Sequence, residues 1–125
     1  MKIALVSLFV SNPLEAHAFY TDVLGFESRM FMPEHYLAIV AAPGEPGSPG
    51  LLLEPNNNPI ASTYQTSLFE ANLPAIVFSV ADLPSEHERL TGRGVAFRQE
   101  PTQTDYGLIS VFEDGFGNLV QLMQA

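Results

Sequence analysis

The chain has 125 residues, 14 of them Asp or Glu and 5 Lys or Arg, so its formal net charge is −9 with histidine neutral. Five cations in an acid-rich chain cannot neutralise many phosphates or hold to an anionic bilayer, which argues against nucleic acid and a membrane surface as partners. With 46% apolar and 15% charged residues and no cysteine, the composition is that of one globular domain in a reducing compartment, with neither disulfides nor thiolate ligands.

The opening run MKIALVSLFV is far shorter than the roughly 20 apolar residues needed to span a bilayer, and no small-residue cleavage site follows it. Residues 2–10 therefore read as a strand covered on both faces, in a cytoplasmic protein. Asn12 is placed to cap a helix that Pro13 opens. Ala16, Phe19, Tyr20 and Val23 recur at helical spacing between Leu14 and Leu24, and Gly25 stops the pattern. Strand-like runs follow at 26–32, 36–42 and 51–54, with the Pro/Gly loop 43–50 before the last. Residues 55–74 carry Pro55, three asparagines and Pro59, then Ile60, Tyr64, Leu68 and Ala71 on one helical stripe. This segment reads as a linker with a short helix whose apolar stripe could dock on a neighbour. The order then restarts with a strand at 75–80, Asp82 as a cap, a helix at 84–90, and Gly92 and Gly94 as terminators. Strands at 95–99, 107–112 and 119–123 complete it. Gly115-Phe116-Gly117 lacks the strand-before, helix-after setting of a nucleotide loop and reads as a hairpin turn.

The second half thus repeats the element order of the first. Val10 and Val80, Asn12 and Asp82, and His17 and His87 share an offset of 70, while Gly25 and Gly94 give 69 and Leu53-Glu54 against Val120-Gln121 gives 67. Small loop deletions produce such a drift. Module 1 covers about 1–54, the linker helix about 55–74 and module 2 about 75–125.

The run Ala18-Phe19-Tyr20-Thr21-Asp22-Val23-Leu24-Gly25-Phe26 resembles the "FY…vLGF" signature of the vicinal oxygen chelate superfamily, which includes glyoxalase I, bleomycin-resistance proteins and extradiol dioxygenases. Residues 113–122, EDGFGNLVQL, are similar to the family's "DPdGn.iel" ending. The resemblance implies an α+β fold in which two βαβββ modules form a cup-shaped sheet around a shared groove with the helices outside, and it implies a homodimer. It also implies metal-ligand positions at Leu5 and Ala75, and at Glu54 and Gln121. Leucine and alanine offer no lone pair, and a divalent ion needs roughly three or four protein donors. No metal and no other cofactor are therefore expected.

Strand parity then sets what lines the groove. With Leu5 inward, Ser7 and Phe9 follow, as do Leu52 and Glu54, and by the same rule Ala75, Val77, Ser79, Leu119, Gln121 and Met123. Ala4, Val6, Leu8 and Val10 fall on the helix side. Tyr36 and Tyr106 begin strands beside loops, where a phenol could close over a bound molecule or pack at the rim. Glu54, a carboxylate among apolar neighbours, could serve as a general base, hold a cationic ligand, or stand as an ordinary polar strand end. Gln121 could meet a ligand or pair with Glu54. Arg98 could neutralise an anion or sit solvated at a sheet edge. His17 and His87 are placed on the surface, and nothing in the sequence brings a histidine near a nucleophile. The leading function is a metal-free small-molecule binding protein with its ligand in the apolar groove. The alternatives are a lyase, isomerase or dioxygenase-like enzyme using Glu54 as base or residual metal ligand, and a structural or regulatory domain whose groove is filled.

Overall fold

In the computed structural model, which describes residues 1–125, the chain divides into two units, Met1–Ser62 and Thr63–Ala125. The boundary falls inside a helix, so the linker is more ordered than its asparagines and prolines suggest.

The first unit holds β1 (Leu5–Val10), α1 (Pro13–Ala18), β2 (Glu27–Met32), β3 (Leu37–Ala41), β4 (Gly50–Pro55) and the start of α2 (Pro59–Glu70). Its sheet runs in the order β1-β4-β3-β2, with β1 parallel to β4 and the other pairs antiparallel. Asn12 starts α1 as expected: its side-chain oxygen accepts from the Leu14 and Glu15 amides at 3.0 and 3.3 Å, and Pro13 stands in the first turn. The helix stays α-helical only to Ala18 and then widens into a π-type turn over Phe19–Val23, closed by the Leu24 amide on the Phe19 carbonyl. The Thr21 hydroxyl donates to the His17 carbonyl at 2.8 Å, the acceptor that an α-helical Thr21 amide would use. Tyr20, fully buried, anchors this turn in the core, and α1 packs on β3 and β4 over Leu8, Val10, Ala38, Val40, Leu51 and Leu53. Each buried Leu or Val among them contributes about 1.5–3 kcal/mol by leaving water. Val6 on the edge strand β1 and Ala4 just before it, expected on the same side, are instead exposed. Gly50 begins β4 in a crowded place: a Cβ there would stand 2.8 Å from Leu5 Cδ2 and 2.9 Å from Ile39 Cγ2, so a larger residue would have to displace those methyls.

The second unit holds the remainder of α2, β5 (Ile76–Ser79), α3 (Leu83–Gly92), β6 (Ala96–Thr104), β7 (Gly107–Glu113) and β8 (Leu119–Gln124). Its order, β5-β8-β7-β6 with β5 parallel to β8, is the first sheet's order again. The expected βαβββ repeat is therefore present in topology as well as in element sequence. Asp82 caps α3, accepting from the Ser85 amide at 3.2 Å and the Ser85 hydroxyl at 2.9 Å. Leu83 and Leu90 are buried as α3 packs on β6, β7 and β8, whose Phe112, Val120 and Leu122 complete that core. The strand expected at 95–99 continues to Thr104, past Pro101, with register shifts between Phe97 and Gln99 and between Gln99 and Thr102. β6 is an edge strand, where a proline's missing amide and a bulge are both tolerated.

The stripe Ile60, Tyr64, Leu68 and Ala71 is not the face that α2 buries. Ile60 is 83% and Tyr64 54% exposed, whereas Ala61 and Gln65 are buried. Polar docking decides the helix phase in place of the apolar stripe: the Gln65 side-chain amide donates to the Phe116 carbonyl at 3.0 Å and to Asn118 Oδ1 at 3.1 Å. Those acceptors lie in the β7–β8 hairpin, the turn expected at residues 115–117. The buried Asp114 carboxylate holds it by accepting from the Phe116 and Asn118 amides and from Asn118 Nδ2.

Candidate functional site

The sheet face away from α1 carries the first set of expected residues. The register aligns Leu5 with Gly50, Ser7 with Leu52 and Phe9 with Glu54, and Ile39 with Leu52 on the other side. Laterally paired residues share a face, so Leu5, Ser7, Phe9, Leu52 and Glu54 stand together, joined by Leu37 and Ile39. The Ser7 hydroxyl donates to Glu54 Oε1 at 2.8 Å. Glu54 and its neighbours Phe9, Leu37, Ile39 and Leu52 are half-buried, and Leu5 is half-exposed. The result is an open apolar surface with one fixed polar point. β3's contribution follows from the same parity once its pairing with β4 is known, and only the pairing was missing from the sequence.

In the second unit Val77 aligns with Gln121, Ser79 with Met123 and Val111 with Gln121, so these residues share the face away from α3. Leu119 falls on the same face, but at 1% exposure it offers no surface to a ligand. Beside Gln121 a cleft of about 200 Å³ is lined by Asn72, Pro74, Arg98, Gln99, Val111 and Gln121. Consecutive strand residues normally point to opposite faces, and the shift in register between Phe97 and Gln99 is what lets Arg98 and Gln99 both line it. Arg98 is exposed on the edge strand β6, and its guanidinium lies 5.0 Å from the Phe69 ring centroid and donates to Asn72 Oδ1 and Glu113 Oε1.

The remaining expected residues stand apart from these faces. Tyr36 takes a left-handed conformation (φ 51°) at the end of the short 3-10 turn before β3 and is 55% exposed. Tyr106 occupies the two-residue β6–β7 turn and is 82% exposed. His17 and His87 are half-buried on their helices, each against an aromatic ring. His17 stacks on Phe31 with ring centroids 4.3 Å apart, and His87 meets Phe97 edge-on at 4.4 Å. His17 Nε2 lies 2.8 Å from Ser28 Oγ, a contact between α1 and β2 that had no signal in the sequence. Burial pushes the His17 imidazole below its ordinary value, with the Asp22 charge pulling the other way. The pair sits on the helix side of the sheet, where His17 is held by its ring stack.

The donor set does not fit a metal. At the four positions implied by the resemblance stand Leu5, Glu54, Ala75 and Gln121, and nowhere do three His, Cys, Asp or Glu side chains converge. One carboxylate already engaged by a serine cannot supply the roughly three or four donors such an ion requires. No helix of the chain is long and apolar enough to cross a membrane.

Comparison with known proteins agrees with this architecture. The model of the Glyoxalase/Bleomycin resistance protein/Dioxygenase superfamily matches residues 2–122. An uncharacterised protein of Bacillus subtilis (strain 168), YurT, is 41% identical over 99% of both chains. One from Shewanella frigidimarina (strain NCIMB 400) is 30% identical over 98% of this chain and 93% of its own. Among crystal structures, UcmS2 is 28% identical with a TM-score of 0.81, covering 98% of this chain and 97% of that one. TnmS3, an antibiotic-binding protein from Streptomyces sp. CB03234, is 25% identical with a TM-score of 0.75, covering 99% and 95%.

Proposed function

Because the chain belongs to the glyoxalase/bleomycin resistance protein/dioxygenase superfamily, we propose that it is a metal-free small-molecule binding protein, a cytoplasmic homodimer that holds an organic ligand on its open sheet faces without altering it. The observation that carries this is the face of the first unit, where Leu5, Phe9, Ile39 and Leu52 surround the hydrogen-bonded Ser7–Glu54 pair. Apolar walls with a few oriented polar groups are what small-molecule sites present. Ser7 engages Oε1 and leaves Oε2 to accept from a ligand N–H or O–H, and the carboxylate favours a cationic group there. The antibiotic binding stated for TnmS3 supports a role of the same kind.

Methyl-detected NMR titration with naphthylmethylamine and naphthylmethanol tests the proposal. Both compounds are expected to shift the Leu5 and Leu52 methyls, the amine binding more tightly. Glu54→Gln is expected to weaken the amine about tenfold, the loss of one hydrogen bond to a charged group, with the alcohol unaffected. Methyls that no probe moves would overturn the reading. Consumption of a compound by the wild type but not by Glu54→Gln would replace it with the enzymatic one, Glu54 as general base.

A further inference from the structure

We infer that the cleft of the second unit recognises a carboxylate carried on a small apolar body, with Arg98 as its anchoring donor. The inference rests on the small-molecule-binding role and gives this face a ligand chemistry opposite to that of Glu54.

Four of the six lining residues are polar, namely Arg98 and the neutral amides of Asn72, Gln99 and Gln121, and none is a carboxylate. Pro74 and Val111 supply the apolar wall. The guanidinium is oriented but poorly satisfied. Phe69 fixes its plane from one side, as stacked arginines prefer. Its contacts to Glu113 at 3.2 Å and to Asn72 at 3.5 Å are long beside the ~2.7–2.9 Å of a well-made charge-assisted bond, and its other N–H groups have no partner. Neither Gln99 nor Gln121 makes a side-chain hydrogen bond. With a volume of about 200 Å³, the cleft is below the ~300–1,000 Å³ of sites that enclose a drug-sized molecule, so it suits a small acid or the acidic end of a larger one.

The repeat shows what an arginine in this place does with a carbonyl-type oxygen. Arg29 precedes Arg98 by 69 residues and lies in the corresponding bulge, between Ser28 and Met30 of β2. Its Nη1 donates to the Ser48 carbonyl at 2.8 Å, an acceptor supplied by the Pro/Gly loop. The second unit joins β7 to β8 by a short hairpin and brings no loop carbonyl to Arg98. A ligand oxygen would take that vacant role. Glu113 is the one competitor, an acidic side chain that a bound carboxylate must share the guanidinium with.

The test follows Arg98 Nε–H and the Asn72, Gln99 and Gln121 side-chain amides by ¹⁵N NMR during titration with sodium benzoate and with neutral benzamide at constant ionic strength. Benzoate is expected to move the Arg98 and Gln121 signals saturably and to bind at least tenfold more tightly than benzamide. Arg98→Gln is expected to lose that tenfold, and Glu113→Gln to gain severalfold by removing the competitor, which also keeps the test decisive if Arg98→Gln folds poorly. Equal response to the two compounds, or a Glu113→Gln affinity unchanged or lowered, would overturn the inference. Failure here with naphthyl probes still shifting Leu5 and Leu52 leaves the binding role standing, whereas failure of both removes it.

Discussion

The fold lowers the proton affinity of His17. Its ring lies against Phe31 and beside Ser28 Oγ, and this burial disfavours the imidazolium more than the Asp22 charge favours it. In the unfolded chain the same ring binds its proton near pH 6.5. As pH falls through that value, the unfolded state takes up the proton before the folded state does, so folding stability is lost on acidification and is fully present above it. Thermal melts between about pH 7.5 and 5 are therefore expected to show a falling Tm whose slope is shallower in His17→Gln, which keeps a hydrogen-bonding group for Ser28 but cannot titrate. Asp22→Asn should steepen the wild-type slope by removing the charge that partly supports the imidazolium. Identical slopes in wild type and His17→Gln would show that the ring is solvated like an ordinary histidine. The contrast with Glu54 is instructive at this scale: its place on the face was readable from strand parity, but its serine partner needed the β1–β4 register, and two residues 47 apart carry no local signal of their pairing.

Between elements, the docking of α2 on the β7–β8 hairpin depends on a polar clamp and on a glycine. Gly117 has φ +100°, and a Cβ there would stand 2.7 Å from Gln65 Nε2, so alanine meets both backbone strain and the clamp itself. Gly115 shares the positive φ but has open space around it. In urea unfolding, Gly117→Ala should cost more than Gly115→Ala, and the excess should shrink in a Gln65→Ala background. Gln65→Ala itself should cost about 1–3 kcal/mol through its lost hydrogen bonds to partly buried acceptors. An excess that persists without the glutamine would place the strain elsewhere. The same clamp sets the phase of α2 and leaves Ile60 and Tyr64 of the apolar stripe exposed. An apolar stripe is a statement about burial averaged over a helix, and α2 instead buries Ala61 and the polar Gln65, because a hairpin 51 residues away supplies Gln65's acceptors. The two caps, Asn12 and Asp82, were legible because their chemistry is local. The extension of β6 through Pro101 was not, because only its position at the sheet edge makes that proline tolerable.

For the whole molecule, charge and exposed apolar surface act in opposition. The repeated βαβββ order and its family were legible, since they rest on element sequence and two motifs. A docking surface for a second copy has no such signature, because an apolar stripe does not say whether it meets the same chain or another. Ile60 and Tyr64 are nevertheless left 83% and 54% exposed, and Leu5, Met30, Phe31 and Val77 stand 42–50% exposed. Large apolar groups in such number favour association. Each copy also carries a net charge of −9. Two such copies repel over the ~30 Å screening length of 10 mM salt and much less over the ~8 Å of 150 mM. Light scattering at fixed protein concentration is therefore expected to give a dimer mass at 150 mM salt and a larger monomer fraction at 10 mM. Ile60→Glu, adding charge to the exposed stripe of α2, should shift the equilibrium toward monomer at both. A monomer at every ionic strength would show that these apolar groups serve the ligand faces alone, and a dimer indifferent to salt and to Ile60→Glu would place the interface away from α2.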